Sequence, residues 1–378
     1  VREQLSLIVE DFIQESPAYL QSQLITYIGN KRALLPFIGK GVAIIKKRLA
    51  QERLRCLDLF AGTGVVSRYL KQHSSFLVAN DLELYSEITN RCYLSNTVDV
   101  NFAELNDAIQ FLHSAIEQHW QRGFIAELYA PECDEHIQPG ERTFYTRRNA
   151  EYIDTARMQI ACLPHHLQLY LLAPLIAQAS VHANTSGVFK GFHKSKTGIG
   201  QFGGRGQDAL TRIKKPIAIE LPIFSRFACS HAVTRTDANV FFNASTFGEF
   251  DLVYLDPPYN QHPYGSNYFM LNLIATYERP HQMSAISGIP TNWNRSRYNQ
   301  RREAEAALFE VIQNCPAKYV MVSYNSEGFI AHERFLDLMN CSGKLSVLET
   351  PYNTFRGSRN LNNRSIHVTE FLYLLEKT

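Results

Sequence analysis

Apolar positions in residues 32–50 (RALLPFIGKGVAIIKKRLA) recur at the three- and four-residue spacing of an amphipathic helix. The stretch runs into RCLDLF, a short buried-strand pattern that ends in glycines. A second apolar run, Phe76–Asn80, is followed by Asp81 and another helical stretch, so the first hundred residues or so read as a βαβα half of a parallel sheet. The pattern then changes. Leu105, Ile109, Leu112 and Ile116 share one helix face, two more helical segments lie between about 149 and 180, and a loop-rich tract follows. Strand patterns resume with NVFFNA (Val240–Phe242), FDLVYLD, KYVMVSY, KLSVLET and HVTEFLYLL, the last two separated by a polar loop rich in Asn and Arg. An antiparallel edge is expected to finish the sheet. The expected fold is α/β: a doubly wound, seven-stranded catalytic domain built from residues 1–97 and 237–378, with a mainly helical domain, 98–236, inserted between its halves.

Length supports this division, since 378 residues exceed one minimal fold. With 45% of residues apolar, the chain can bury a large core, which excludes disorder. A formal charge of +2 is too small for a bulk nucleic-acid coat protein, so an acidic partner must meet a local basic patch. The seven cysteines form no CxxC pair, which argues against a disulfide framework or a thiolate zinc site and fits a reducing, cytosolic setting. The N-terminal residues lack a signal-peptide core, and the longest apolar stretch, Leu169–Ala179, is too short to span a bilayer. No membrane role and no metal are expected; the histidines show no HxxxH spacing of the metalloprotease kind.

Three motifs carry chemistry. Asp58-Leu59-Phe60-Ala61-Gly62-Thr63-Gly64 sits where a strand turns into a helix, where glycines let a cofactor approach the backbone. The third glycine of a dinucleotide fingerprint is replaced by Ser67, and a tight turn without a ligand is the alternative. Asp81 follows 23 residues after Asp58, the spacing at which an acid reaches ribose hydroxyls, although it also suits a helix cap. Asp256-Pro257-Pro258-Tyr259 ends an apolar strand at the carboxyl edge of the sheet. Its prolines stiffen the turn and leave the Asp256 carboxylate and the Pro257 carbonyl as acceptors beside an aromatic face, an arrangement suited to a planar amine. A turn that merely ends the strand is the other reading.

The order DLFAGTG, Asn80-Asp81, then DPPY resembles the S-adenosylmethionine-dependent amino-methyltransferases of DNA. Tyr27-Ile28-Gly29-Asn30-Lys31 is similar to the extra motif that the alpha-class, Dam-like adenine-specific DNA methyltransferases place before the glycine loop. The resemblance covers residues 24–97 and 239–378; the inserted part matches in position alone. It implies that Tyr27 and Lys31 contact the methionine end of S-adenosylmethionine, that Asp58, Phe60, Gly62 and Gly64 line its amino-acid moiety, and that Asp81 holds its ribose. Asp256, Pro257 and Tyr259 would hold the target base, swung out of the duplex at a cost of a few kcal/mol. Ser245 and Thr246, after the strand expected at Val240–Phe242, stand where many relatives have an acidic residue against the cofactor adenine. The family further implies a monomer acting on double-stranded DNA, as the modification partner of a restriction endonuclease.

Residues 186–226 supply the basic patch: Lys190, Lys194, Lys196, Arg205, Arg212, Lys214, Lys215 and Arg226 face only Asp208 and Glu220. Glycines and aromatics among them suit a segment that follows a phosphate backbone, and a solvated loop is the plain alternative. Arg295, Arg297, Arg301 and Arg302 form a second cluster, and Arg356, Arg359 and Arg364 a third. The rival readings are an RNA or cytosine amino-methyltransferase and a non-catalytic nucleic-acid-binding module. The second would keep the basic tract but has no use for Asp81 together with Asp256.

Overall fold

The computed structural model describes residues 14–353, apart from 205, 206, 208 and 245, together with residues 367–377. Among the described residues, seven strands form one sheet: β1 (Leu54–Asp58), β2 (Ser74–Asp81), β3 (Ser230–Arg235), β4 (Phe250–Leu255), β5 (Ala317–Asn325), β6 (Gly343–Asn353) and β7 (His367–Lys377). Their spatial order is β3-β2-β1-β4-β5-β7-β6. Neighbours from β3 to β5 pair in parallel, whereas β7 is antiparallel to both β5 and β6. The antiparallel strand thus lies inside the sheet, and β6 is its edge.

Alternation sorts the strand residues onto two faces. Cys56, Leu77, Leu252, Tyr254, Met321 and Leu374 point to one face, where they pack with α2 (Leu35–Leu49) and α3 (Val65–Lys71). Leu57, Val78, Val253, Leu255, Val320 and Leu375 point to the other, against α10 (Ala238–Ala244), α13 (Ala304–Asn314) and α14 (His332–Asn340). With both faces covered, β4 is buried at every position, which explains its unbroken apolar run.

The inserted segment supplies α5 (Phe102–Gln118), α6 (Phe124–Tyr129), α7 (Arg147–Ala161), α8 (His165–Val181) and the short α9 (Leu210–Lys214). In α5 the face read from the sequence is the buried one, with Leu105, Ile109, Leu112 and Ile116 in the core. Helices α5 to α8 share that core with α12 (Phe269–Thr276) and with Tyr85 of α4 (Leu84–Leu94).

Two expectations are corrected. Val240–Phe242 is helix, not strand: Asp237 caps α10 by accepting from the Asn239 N–H at 2.9 Å, and the Val240 and Phe241 N–H groups turn back onto the Asp237 carbonyl. The sheet strand lies earlier, at Ser230–Arg235, inside the stretch assigned to the insertion; it pairs with β2 from Phe76↔Ser230 to Asp81↔Arg235. As an edge strand with no fully buried position it lacks the apolar signature of a central strand.

A buried cation fixes the entry to the site. Arg68 donates to the carbonyls of Tyr19 and Ser22 at 3.0 Å and of Gln23 at 3.1 Å, and its guanidinium lies 3.6 Å from the Tyr93 ring centre. The segment leading to Tyr27 is thereby clamped to α3. Among the described residues no helix is long and apolar enough to cross a membrane, and no group of three His, Cys, Asp or Glu could hold a metal.

Candidate active site

The carboxyl ends of β1, β2 and β4 open into one cleft of about 900 Å³, measured with its open mouth. Tyr27, Lys31, Asp58, Phe60, Gly62, Asp81 and Asp256 all line it. Gly64 sits just behind, at the start of α3.

The glycine loop forms the floor. Gly62 and Gly64 have φ of +51° and +77°, the left-handed region that a side chain strains. The Gly62 N–H donates to Asp81 at 2.8 Å, and the other Asp81 oxygen accepts from the Glu83 N–H at 2.9 Å. Asp81 therefore caps the turn into α4 and braces the loop while still facing the cleft. Asp58 accepts from the Ser67 hydroxyl at 2.6 Å, but its second oxygen is buried and has no protein partner among the described residues. Burial pushes the Asp58 carboxyl up to about 7. A buried acceptor left open beside two left-handed glycines is a cradle for an ammonium-bearing amino-acid group, so these residues fit the methionine end of S-adenosylmethionine.

Tyr27 and Tyr264 give the cleft an aromatic wall, whereas Tyr268, which packs against both rings, is not among the lining residues, nor are Tyr259 and Pro257. Tyr27 stacks on Tyr264 (4.8 Å between ring centres) and on Tyr268 (4.3 Å). Gly29, at φ +78°, leaves room there for the hydroxyls of Tyr259 and Tyr264. Tyr259 meets Tyr324 edge-on at 5.9 Å, and its backbone carbonyl accepts from the Phe329 N–H, which anchors the DPPY turn.

At the end of β4, Asp256 keeps 18% of its side chain exposed, and burial pushes its carboxyl up to about 6 against the opposing Lys31 charge. Lys31, expected at the methionine end, lines the cleft and pairs its ammonium with two carboxylates: Asp256 at 3.2 Å and Glu370 of β7 at 2.8 Å. Burial opposes the ammonium, but these partners outweigh it and hold its pKa well above the usual lysine value.

Several other residues shape the cleft. Asn80 joins three strand ends, donating to the carbonyls of Leu59 (3.1 Å) and Thr236 (2.9 Å) and accepting from the Thr234 hydroxyl (2.8 Å). Glu83 accepts from the side-chain amides of Asn272 at 2.6 Å and Asn294 at 3.1 Å, and burial pushes its carboxyl up to about 7. Asp237, in the turn after β3, lines the cleft, as do Ser296 and Tyr298. Thr246 is exposed and is not a lining residue, because the chain runs through α10 before reaching it; Ser245 lies outside the described residues. Asp237, one element earlier, is an acid that does line the cleft. The signal in the sequence was an acidic residue just before an apolar helix.

The basic tract begins against the site. The Phe189 N–H donates to the Asn267 carbonyl at 2.7 Å, and Lys190 lies 3.4 Å from His262. Lys190, Lys194, Lys196, Lys214 and Lys215 are exposed, whereas Arg212 donates to the carbonyls of Val181 and Ala183 at the end of α8. Arg205 and the cluster Arg356, Arg359 and Arg364 lie outside the described residues. Arg297 pairs with Glu303 and Glu310.

A family model described as D12 class N6 adenine-specific DNA methyltransferase matches residues 27–320. The Type II methyltransferase M.NlaIII of Neisseria lactamica is 29% identical over 366 residues, covering 93% of this chain and 99% of its own. The Type II methyltransferase M.CviAII of Paramecium bursaria Chlorella virus 1 is 26% identical over 364 residues, with the same two shares. The modification methylase StsI of Streptococcus sanguinis is 27% identical over 373 residues; the match takes in 93% of this chain, which spans 52% of that relative. The matched region contains the Tyr27–Lys31 turn, the glycine loop, the insertion and the DPPY turn in one order, and the chain belongs to the D12 class N6 adenine-specific DNA methyltransferase family.

Proposed function

We propose that this protein is an alpha-class, Dam-like enzyme that methylates the exocyclic amine of an adenine flipped out of duplex DNA at a specific sequence, with S-adenosylmethionine as methyl donor. It acts as a monomer in the cytoplasm, as the modification partner of a restriction endonuclease. The names of its relatives, two Type II methyltransferases and a modification methylase, support that pairing. The observation that carries the reading is the opening of Asp256, the glycine loop and Asp81 into one cleft.

In this reading Asp58, Phe60, Gly62 and Gly64 cradle the amino-acid end of the cofactor, Tyr27 packs over it, and Asp81 holds the ribose. Bound there, the cofactor supplies an electrophilic methyl group. The remaining work is positioning. An adenine amine is a poor nucleophile because its lone pair is delocalised into the ring. Hydrogen bonds from both of its N–H groups, to Asp256 and to the Pro257 carbonyl, favour a tetrahedral nitrogen whose lone pair faces the methyl group. Tyr259 stacks on the flipped ring. A nitrogen that gains a carbon must lose a proton, and the Asp256 carboxylate is the acceptor at hand.

Mass spectrometry of nucleosides from DNA and RNA incubated with enzyme and cofactor tests the reading. N6-methyladenine from duplex DNA is the expected product; dominant methylcytosine or a methylated RNA base overturns it.

For the DNA side, neutralising Lys194, Lys196, Lys214 and Lys215 together is expected to weaken binding on all sequences alike. The slope of log affinity against log salt should flatten by about 1 for each phosphate that is no longer neutralised. Arg212 is left out because its guanidinium is committed to the end of α8. Fluorescence anisotropy across a salt series measures the slope, and an unchanged slope returns the tract to a solvated loop.

A further inference from the structure

Asp256 does not stand alone. Its neighbour Lys31 has a second carboxylate partner, Glu370, which comes from the far end of the chain and accepts at the same oxygen from the Ser323 hydroxyl at 2.7 Å. Glu370 keeps only 2% of its side chain exposed and Lys31 5%, so this is a buried chain of one cation between two anions. A buried carboxylate is tolerated only when it is paired and hydrogen-bonded, and Lys31 and Ser323 do both for Glu370. Glu370 is not among the residues lining the cleft, whereas Lys31 and Asp256 are.

We infer that Glu370 and Lys31 are a positioning pair that sets the charge and orientation of Asp256, Lys31 keeping it ionised in a buried site and Glu370 drawing part of the lysine charge away so that the carboxylate stays a strong acceptor. The inference rests on the assignment of Asp256 to the amine of the target base.

The geometry gives the two partners opposite effects. Lys31, at 3.2 Å, favours the ionised form of Asp256. Glu370 disfavours it by like charge and competes for the same ammonium, which it approaches more closely, at 2.8 Å. Burial, Lys31 and Glu370 set the Asp256 carboxyl, and among the described residues Asp58 of β1, Tyr254 of β4, Tyr259 of the DPPY turn and Tyr264 of the short helix α11 (Tyr264–Asn267) in turn feel its charge. Of these only Asp58 is an acid. Lys31 is therefore the group whose removal most exposes Asp256 to protonation. A lysine merely filling space would leave Asp256 titrating as before.

The test uses the full chain with Glu370→Gln and Lys31→Met. Glutamine keeps the carbonyl that accepts from Lys31 and Ser323 while removing the charge. Two readouts are taken in each variant: titration of the Asp256 carboxyl by carbon-13 magnetic resonance, identified by its disappearance in Asp256→Asn, and the acid limb of the single-turnover rate at saturating cofactor and DNA. In Lys31→Met both should move up, by about 1 to 3 pH units, the usual reach of an adjacent opposite charge. Transfer should recover toward the wild-type plateau above the shifted limb. In Glu370→Gln both should move down, by about one unit, from loss of a more distant like charge.

Shifts of opposite sign in the two variants, seen in both readouts, support the pair. Rates that fall equally at every pH with an unmoved carboxyl titration overturn it and make the cluster a structural brace. A titration that moves while the acid limb stays put overturns it as well, since Asp256 would then not govern the rate. A wild-type enzyme that methylates no adenine overturns the functional reading alone, because the carboxyl titration still decides the charge claim.

Discussion

Replacing Asp256 with alanine is expected to lower single-turnover methyl transfer about a thousandfold, the upper range for removing one preorganised hydrogen-bonding group from an active site, and to leave S-adenosylmethionine affinity within a few-fold of wild type. The separation follows from the geometry. Asp256 is held by Lys31 at 3.2 Å, whereas Asp81 and the glycine loop are braced on each other, through the Gly62 N–H at 2.8 Å. Neither brace passes through the other. Asparagine at 256 keeps an acceptor without the charge and should fall between the two, because a charged acceptor makes the stronger bond. Rapid-quench transfer of labelled methyl, beside a calorimetric cofactor titration, reads both quantities. Turnover of Asp256→Ala within tenfold of wild type would move the chemistry to another residue.

Gly64→Asp is expected to lower cofactor affinity by a hundredfold or more. A Cβ at Gly64 would stand 2.6 Å from the Asn90 side-chain oxygen, and Asn90 cannot easily withdraw because its amide donates to the Ser86 carbonyl at 2.9 Å. The backbone φ of +77° adds about 1–2 kcal/mol for any residue with a Cβ. The loop must shift, and with it the short bond from the Gly64 N–H to the Ala61 carbonyl at 2.7 Å that closes the glycine turn. The aspartate adds a negative charge near Asp58, where an amino-acid carboxylate would also lie. Gly64→Ala separates the two causes, since it carries the clash without the charge and should lose less affinity. Circular dichroism and thermal unfolding establish that each variant is folded. A folded Gly64→Asp protein that binds the cofactor normally would place the cofactor elsewhere.

The glycine loop, Asp81 and DPPY were legible because each sits at one strand end and depends on residues within a few positions. The central strands were legible for the same reason: β4 is buried on both faces and reads as an apolar run. Where the reading failed, tertiary context decided. NVFF has the β-branched and aromatic look of a strand, but Asp237 caps it into α10, and its apolar side packs on the sheet from outside. The true strand, Ser230–Arg235, is a partly exposed edge and keeps polar residues that an interior strand would not. The Lys31–Glu370 bond joins residues 339 positions apart, and nothing local distinguishes that glutamate from a solvated one. Asn80 was visible as the partner of Asp81 in a dipeptide. Its role in tying β1, β2 and the end of β3 depends on strand order, which no short motif records.

The place of β7 in the sheet bears on how the protein is made. The strand enters between β5 and β6 although it follows both in the chain, and among the described residues β6 has no other neighbour in the sheet. On a ribosome, where the leading part of a chain folds first, β1 to β5 can assemble with the glycine loop while β6 still awaits β7 and Glu370 has not yet been added. Lys31 then faces Asp256 alone. On the proposed assignments, the glycine-loop site can thus form before β7 joins β6 to β5 and brings Glu370 to Lys31.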